Sequence, residues 1–288
     1  MKHGQKVAVL GLGAMGSRMA MRLLDAAYTV SIYNRTAEAA EPLAAKGATR
    51  AASPREAVLG CDVVISCVRD DEAARAIWQD ADTGALAAMR KGSVVLESST
   101  LTPACVGELA AEATARGVNY LDAPVVGTRP QAEAGQLVYL VGGDDEALAR
   151  IRPILDVLGG AVHHVGASGT GAALKLVVNA LFTLQVAGVA ELLGLADKLG
   201  LDPAATLEIL GALPVTSAAA KGAGSLVLAG KHAPMFPIDL VVKDLGYVEA
   251  AAKSVSAEVP TTSATRDLYA RAQASGDGAL NVTAVARL

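Results

Sequence analysis

Short, uninterrupted apolar runs alternate with longer alanine-rich stretches through the first half of the chain. Residues 6–10, 29–33, 62–68, 93–97, 119–121 and 137–141 have the length and the β-branched content of strands. The intervening stretches 17–27, 38–45, 71–81, 103–116 and 145–158 read as helices. Runs such as Val7-Ala8-Val9-Leu10 and Asp62-Val63-Val64-Ile65-Ser66-Cys67-Val68 do not alternate apolar with polar positions. Strands that are apolar on both faces are covered on both faces, which is the situation of a mainly parallel sheet between two helical layers. Strand–helix alternation of this kind predicts a doubly wound α/β domain.

The pattern changes after Val165. A glycine-rich turn, Gly166-Ala167-Ser168-Gly169-Thr170-Gly171, leads into a helical pattern that continues to about Leu199. Helices at 203–212, 216–228, 237–254 and 260–274 follow, each opening at or near Ser, Thr, Asp or Pro, as helix starts do. With no comparable strand run after Val165, two domains are expected: an α/β domain over 1–165 and an all-helical domain over 166–288. A helix of about 30 residues is about 45 Å long, more than one small domain needs, so a homodimer through it is expected.

Composition narrows the function classes. The 288 residues carry 25 Lys+Arg against 29 Asp+Glu, a net charge of −4, with 52% hydrophobic and 19% charged residues. That is too apolar for a disordered chain. A mildly acidic protein with 3% aromatics lacks both the basic surface and the stacking rings of a nucleic-acid binder. The most apolar stretch, 172–201, is interrupted by Lys175, Asn179, Gln185, Glu191, Asp197 and Lys198, whereas a spanning helix needs about 20 nearly unbroken apolar residues; no membrane span is expected. The N-terminal residues run into a strand pattern with no apolar signal core. Cys61, Cys67 and Cys105 show no CxxC spacing, which suits a reducing compartment, and the expected location is the cytoplasm. Without HExxH or Cys/His ligand spacing, no metal site is expected. His163 and His164 are adjacent and would face opposite ways on a strand, and His232 reads as an exposed loop residue.

The clearest chemical signal is Gly11-Leu12-Gly13-Ala14-Met15-Gly16, a GxGxxG directly after the first strand and directly before the first helix. The first glycine makes the tight turn, the second admits a pyrophosphate to the backbone, and the third lets helix and strand pack closely. This context makes the α/β domain Rossmann-like, with a dinucleotide held at a helix N-terminus. An acidic residue at the end of the second strand would hold the adenine ribose of NAD. Here the strand is followed by Asn34-Arg35-Thr36. Arg35 can pair with a 2′-phosphate, Asn34 and Thr36 can hydrogen-bond it, and Thr36 can equally cap a helix. The expectation is NADP(H) in preference to NAD(H).

These features, with four later motifs in order, resemble the β-hydroxyacid dehydrogenase family of 3-hydroxyisobutyrate and 6-phosphogluconate dehydrogenases. Glu97-Ser98-Ser99-Thr100-Leu101-Thr102-Pro103 resembles its nicotinamide-facing strand end, and Asp122-Ala123-Pro124-Val125-Val126-Gly127-Thr128 its substrate segment. Residues 169–179, with Lys175 and Asn179, match its GxGxxxKxxxN, and Lys243-Asp244-Leu245 resembles a late cofactor-closing element. Ala132–Leu137 and the Asn34-Arg35-Thr36 turn are most similar to the NADPH-dependent glyoxylate/succinic semialdehyde reductase branch. The resemblance implies hydride transfer between NADPH and a small carbonyl or hydroxy compound (an aldehyde, keto acid or 3-hydroxy acid). It assigns Lys175 as general acid/base and Asn179 as an orienting group. Ser99, Thr100 and Lys243 are implied cofactor contacts, with the backbone of Val68 and Arg69 as further candidates. On Lys243 the i,i+4 spacing to Asp239 also fits a plain surface pair.

The substrate segment departs from the family pattern. A serine followed by two glycines ordinarily holds a carboxylate there; this chain has Val126, Gly127 and Thr128. Val126 has no side-chain donor, Gly127 keeps a backbone N–H, Thr128 brings a hydroxyl one position later, and Arg129 could bring charge. Loss of one hydrogen bond to a charged group is worth about 1.5–3 kcal/mol, enough to change the preferred substrate. Reduction of C=N bonds, as in the related imine reductases, and dinucleotide sensing without turnover remain alternatives. Lys175 favours carbonyl chemistry over both.

Overall fold

The computed structural model describes residues 4–288. Its sheet is built from β1 (Lys6–Leu10), β2 (Thr29–Tyr33), β3 (Thr49–Arg50), β4 (Val63–Ser66), β5 (Val94–Glu97), β6 (Asn119–Asp122), β7 (Val125–Val126), β8 (Leu137–Gly142) and β9 (Gly159–Gly166). The order is β3-β2-β1-β4-β5-β6, all parallel, continuing to β8 through antiparallel pairing. β7 pairs with β8 in line with β6, Val125 opposite Tyr139 and Asp122 opposite Gly142. β6 and β7 are thus one strand interrupted at Ala123-Pro124, where the Pro124 carbonyl accepts the Leu140 N–H at 3.0 Å. β9 lies parallel to β8, so the last two strands run against the first six.

The doubly wound sheet expected from the apolar runs is present, and the runs have the anticipated cause. Val7 and Val9 of β1 belong to the core with α1 (Gly16–Asp25), while Ala8 and Leu10 belong to the opposite core with Trp78 and Leu109. In chain order the other helices of this half are α2 (Glu41–Ala44), α3 (Pro54–Ala57), α4 (Asp71–Gln79), α5 (Pro103–Ala115), α6 (Arg129–Ala134) and α7 (Asp145–Leu158). Asp70, Thr102 and Asp144 cap α4, α5 and α7 with side-chain oxygens, satisfying backbone N–H groups that have no partner within the helix.

Compact packing divides the chain between Lys175 and Leu176, past Val165 and inside α8 (Thr170–Lys198). The second unit continues with α9 (Pro203–Ala212), α10 (Ala218–Leu228), α11 (Ile238–Ser254) and α12 (Pro260–Ala272) around a core that includes Val186, Leu193, Val241 and Tyr269. By length and composition alone α8 could cross a membrane, but half of its most apolar window is buried in the fold. One expectation about histidine changes, that for His232. His163 and His164 stand exposed on β9, where His164 bonds the Gly143 carbonyl and lies 2.8 Å from Asp145. His232, expected in the open, is half-buried with Nδ1 3.1 Å from the Thr283 hydroxyl.

Candidate active site

The turn after β1 shows why three glycines are needed. Gly11 has φ +92°, and a Cβ on it would run into the Cys67 carbonyl. One on Gly16 would strike the Gly11 carbonyl and reach to 3.4 Å from Cys67 Cβ. A Cβ on Gly13 would meet nothing within 4 Å. Two glycines therefore let the loop close on itself, and the middle one leaves exposed backbone at the N-terminus of α1, where an anionic group is favoured. Leu12 is buried, Ala14 exposed and Met15 between the two. This cradle fits a dinucleotide.

Asn34 is used differently from the expectation. Its Oδ1 accepts the Leu12 N–H at 2.8 Å and its Nδ2 donates to the Thr36 carbonyl at 2.8 Å. The side chain ties the glycine loop to the end of β2. Arg35 and Thr36 are exposed, and the Thr36 side chain makes no cap bond to the following turn.

At the carboxyl edge of the sheet, strand ends are stitched to one another. The Val68 N–H donates to Ser99 Oγ at 2.8 Å, and the Ser99 N–H to Glu97 Oε1 at 3.0 Å. Trp78 Nε1 donates to Glu97 Oε2 at 2.6 Å. Glu97 is buried, and burial pushes its carboxyl above the usual range against the pull of these hydrogen bonds. Burial, reinforced by the charge of Glu97, also pushes the Cys67 thiol up to about 12, so it is not a poised nucleophile. Ser99 is itself buried and bonded within the protein, while Thr100 is part-exposed and Arg69 exposed.

Asp122, at the end of β6, is buried and was singled out in sequence only as part of a motif. Its Oδ1 accepts the Gly169 N–H at 2.7 Å and its Oδ2 the Ala172 N–H at 2.8 Å, both at the start of α8. Burial raises its carboxyl and these donors oppose the rise. Beyond it, Val126 is partly buried on β7 and Gly127 has φ +132°. Thr128 is committed locally: its N–H and its hydroxyl both donate to Gln131 Oε1, at 2.9 and 2.7 Å. The expected extra hydroxyl is therefore spent on starting α6. Arg129, at the first position of α6, has a buried Nε with no hydrogen-bond partner.

On α8, Lys175 and Asn179 are one turn apart and buried, at 9% and 7% exposure. Within the second unit Asn179 Nδ2 donates to Asp244 Oδ2 at 2.6 Å. Lys243 Nζ lies 3.0 Å from Asp244 Oδ1 and 4.9 Å from the centre of the Tyr247 ring. Asp239 accepts from Gln273 Nε2 at 2.9 Å, and the buried carboxylate of Asp244 is an ion-pair partner of Lys243 besides the i,i+4 spacing. Neither Asp244 nor Glu97 carries a sequence signal beyond its motif, because what singles them out is burial with a partner distant in sequence.

Residues 6–166 match the NAD binding domain of 6-phosphogluconate dehydrogenase, and residues 169–288 match the NAD-binding region of NADP-dependent 3-hydroxyisobutyrate dehydrogenase. This chain belongs to the β-hydroxyacid dehydrogenase family. It is similar to the NAD-dependent L-serine dehydrogenase of Pseudomonas aeruginosa, 35% identical over 92% of this chain and 91% of that one. Glyoxylate/succinic semialdehyde reductase 1 of Arabidopsis thaliana is 31% identical over 97% and 96%. The fold follows that of Mycobacterium tuberculosis 3-hydroxyisobutyrate dehydrogenase with L-serine, at TM-score 0.91 and 32% identity, covering 98% of each chain. The protein is accordingly an NAD(P)-dependent oxidoreductase acting on hydroxyl or carbonyl groups.

Proposed function

We propose that this oxidoreductase works as an NADPH-preferring reductase of small carbonyl compounds, with Lys175 as its general acid and, in oxidation, its general base. The observation that carries the reading is a buried lysine one helical turn from a buried, carboxylate-held Asn179. When bound, NADPH supplies the hydride to the carbonyl carbon. The glycine loop and the α1 N-terminus would hold its diphosphate, and Arg35 and Thr36 would meet the 2′-phosphate. As negative charge builds on the substrate oxygen, the Lys175 ammonium donates the proton that neutralises it. Asn179, fixed by Asp244, orients the substrate. A homodimer is part of the same proposal, supported by Val177, Leu181, Leu192 and Leu195 of α8 and Leu199 just past its end, each more than half exposed.

Val126 supports a substrate that leans less on a short-range carboxylate contact, which keeps cyclic imines as a second substrate class. The test is NADPH oxidation across aldehydes, 2-keto acids, 3-keto acids and cyclic imines. Carbonyl turnover is expected to exceed imine turnover, and Lys175→Ala to lower kcat at least about 100-fold while NADPH still binds. Wild-type turnover in that variant would exclude the role. kcat/KM with NADPH should exceed that with NADH by about tenfold or more; equal values would sink the coenzyme preference.

A further inference from the structure

We propose that Asp122 is a positioning residue for catalysis, a carboxylate clamp that fixes the first turn of α8 and through it the placement of Lys175. The inference rests on the reading of Lys175 as proton donor. The Asp122 oxygens accept the backbone N–H groups of Gly169 and Ala172, so two N–H groups at the helix start are held by one buried carboxylate. A carboxylate in this position is acceptor-only and is also favoured by the helix dipole. The surroundings make room for it. A Cβ on Gly142 would lie 2.7 Å from Asp122 Oδ1, and one on Gly171 would lie 2.9 Å from Oδ2. Lys175 follows Ala172 by three residues, and long helical side chains lean back over the preceding turn. The turn held by Asp122 is therefore the turn across which the Lys175 stem lies. Because Asp122 is also the last residue of β6 before the Ala123-Pro124 break, the same carboxylate ties the substrate segment to the helix that carries the proton donor.

Asp122→Asn places an NH₂ against one of the two N–H donors and removes the charge. The expected result is a fall in kcat of about tenfold or more, with the Kd for NADPH and the substrate KM within about twofold of wild type. Amide hydrogen exchange at residues 169–173 should quicken in the same variant. In a Lys175→Ala background, Asp122→Asn is expected to cost no further residual turnover, because a group that acts through the lysine has nothing left to act on. Gly142→Ala, which crowds the carboxylate while keeping its charge, provides the same kcat-against-KM comparison where Asp122→Asn fails to fold. Wild-type kcat in either variant overturns the clamp, as does an equal proportional loss with and without Lys175, or loss of NADPH affinity in step with kcat. Lys175→Ala with full turnover overturns the catalytic reading itself, a result distinct from each of these.

Discussion

Glu97 is where burial and charge conflict most directly at the scale of single residues. Its two oxygens accept N–H donors from Trp78 and Ser99, yet desolvation raises its carboxyl above the ordinary range. The native state therefore binds this proton more tightly than the unfolded chain does. Stability contributed by Glu97 is fullest below its unfolded pKa and falls as pH rises through the interval up to the raised native value. Glu97→Gln should then gain on wild type as pH rises from about 4 towards 8, whatever constant offset follows from altered bonding to the Ser99 N–H. Urea titrations of both proteins across that range measure the difference, and a gap that does not change with pH would contradict it. In the sequence Glu97 and Asp122 stand out only as members of motifs and Asn34 only as a coenzyme candidate, none of them as a tie between elements. Their partners lie 19, 50 and 22 residues away, and no local pattern encodes such a pairing.

At the scale of elements, the glycine loop separates two kinds of requirement. Gly16 is needed by the fold, since a side chain there enters the Gly11 carbonyl, whereas Gly13 opens onto free space. Gly16→Ala is expected to cost about 1–3 kcal/mol through overpacking, read by chemical denaturation. Gly13→Ala should leave stability nearly unchanged and weaken NADPH binding about tenfold or more, because it fills the approach to the backbone. Loss of stability in both variants alike would refute the division. The strands that were legible are those with buried apolar runs. β3 is two exposed residues at a sheet edge, β7 is hidden by the Ala123-Pro124 break, and β9 opens on Gly159-Gly160 and carries the exposed pair His163 and His164. None presents the apolar run by which a covered strand is known.

For the whole molecule, the exposed apolar residues of α8 are the clearest sign of self-association. Leu181→Glu combined with Leu195→Glu should yield a monomer by light scattering at micromolar concentration, and a wild-type protein that is already monomeric there would remove the proposal. Single charges placed in an interface core are poorly tolerated, so a small effect is not expected. The division between the two compact units falls within α8, after Lys175, with no linker on either side of it. This limits how the protein can be taken apart. A fragment ending at residue 165 would lack Gly169 and Ala172, depriving the Asp122 carboxylate of those two donors. A cut at the contact boundary would separate Lys175 from Asn179. Any exchange of halves between relatives, by recombination or in the laboratory, has to carry the first turns of α8 along with the sheet. On the proposed reading of Lys175, the module to be moved intact is the sheet with the first turns of α8, and the helical half has to keep Asn179 with its partner Asp244.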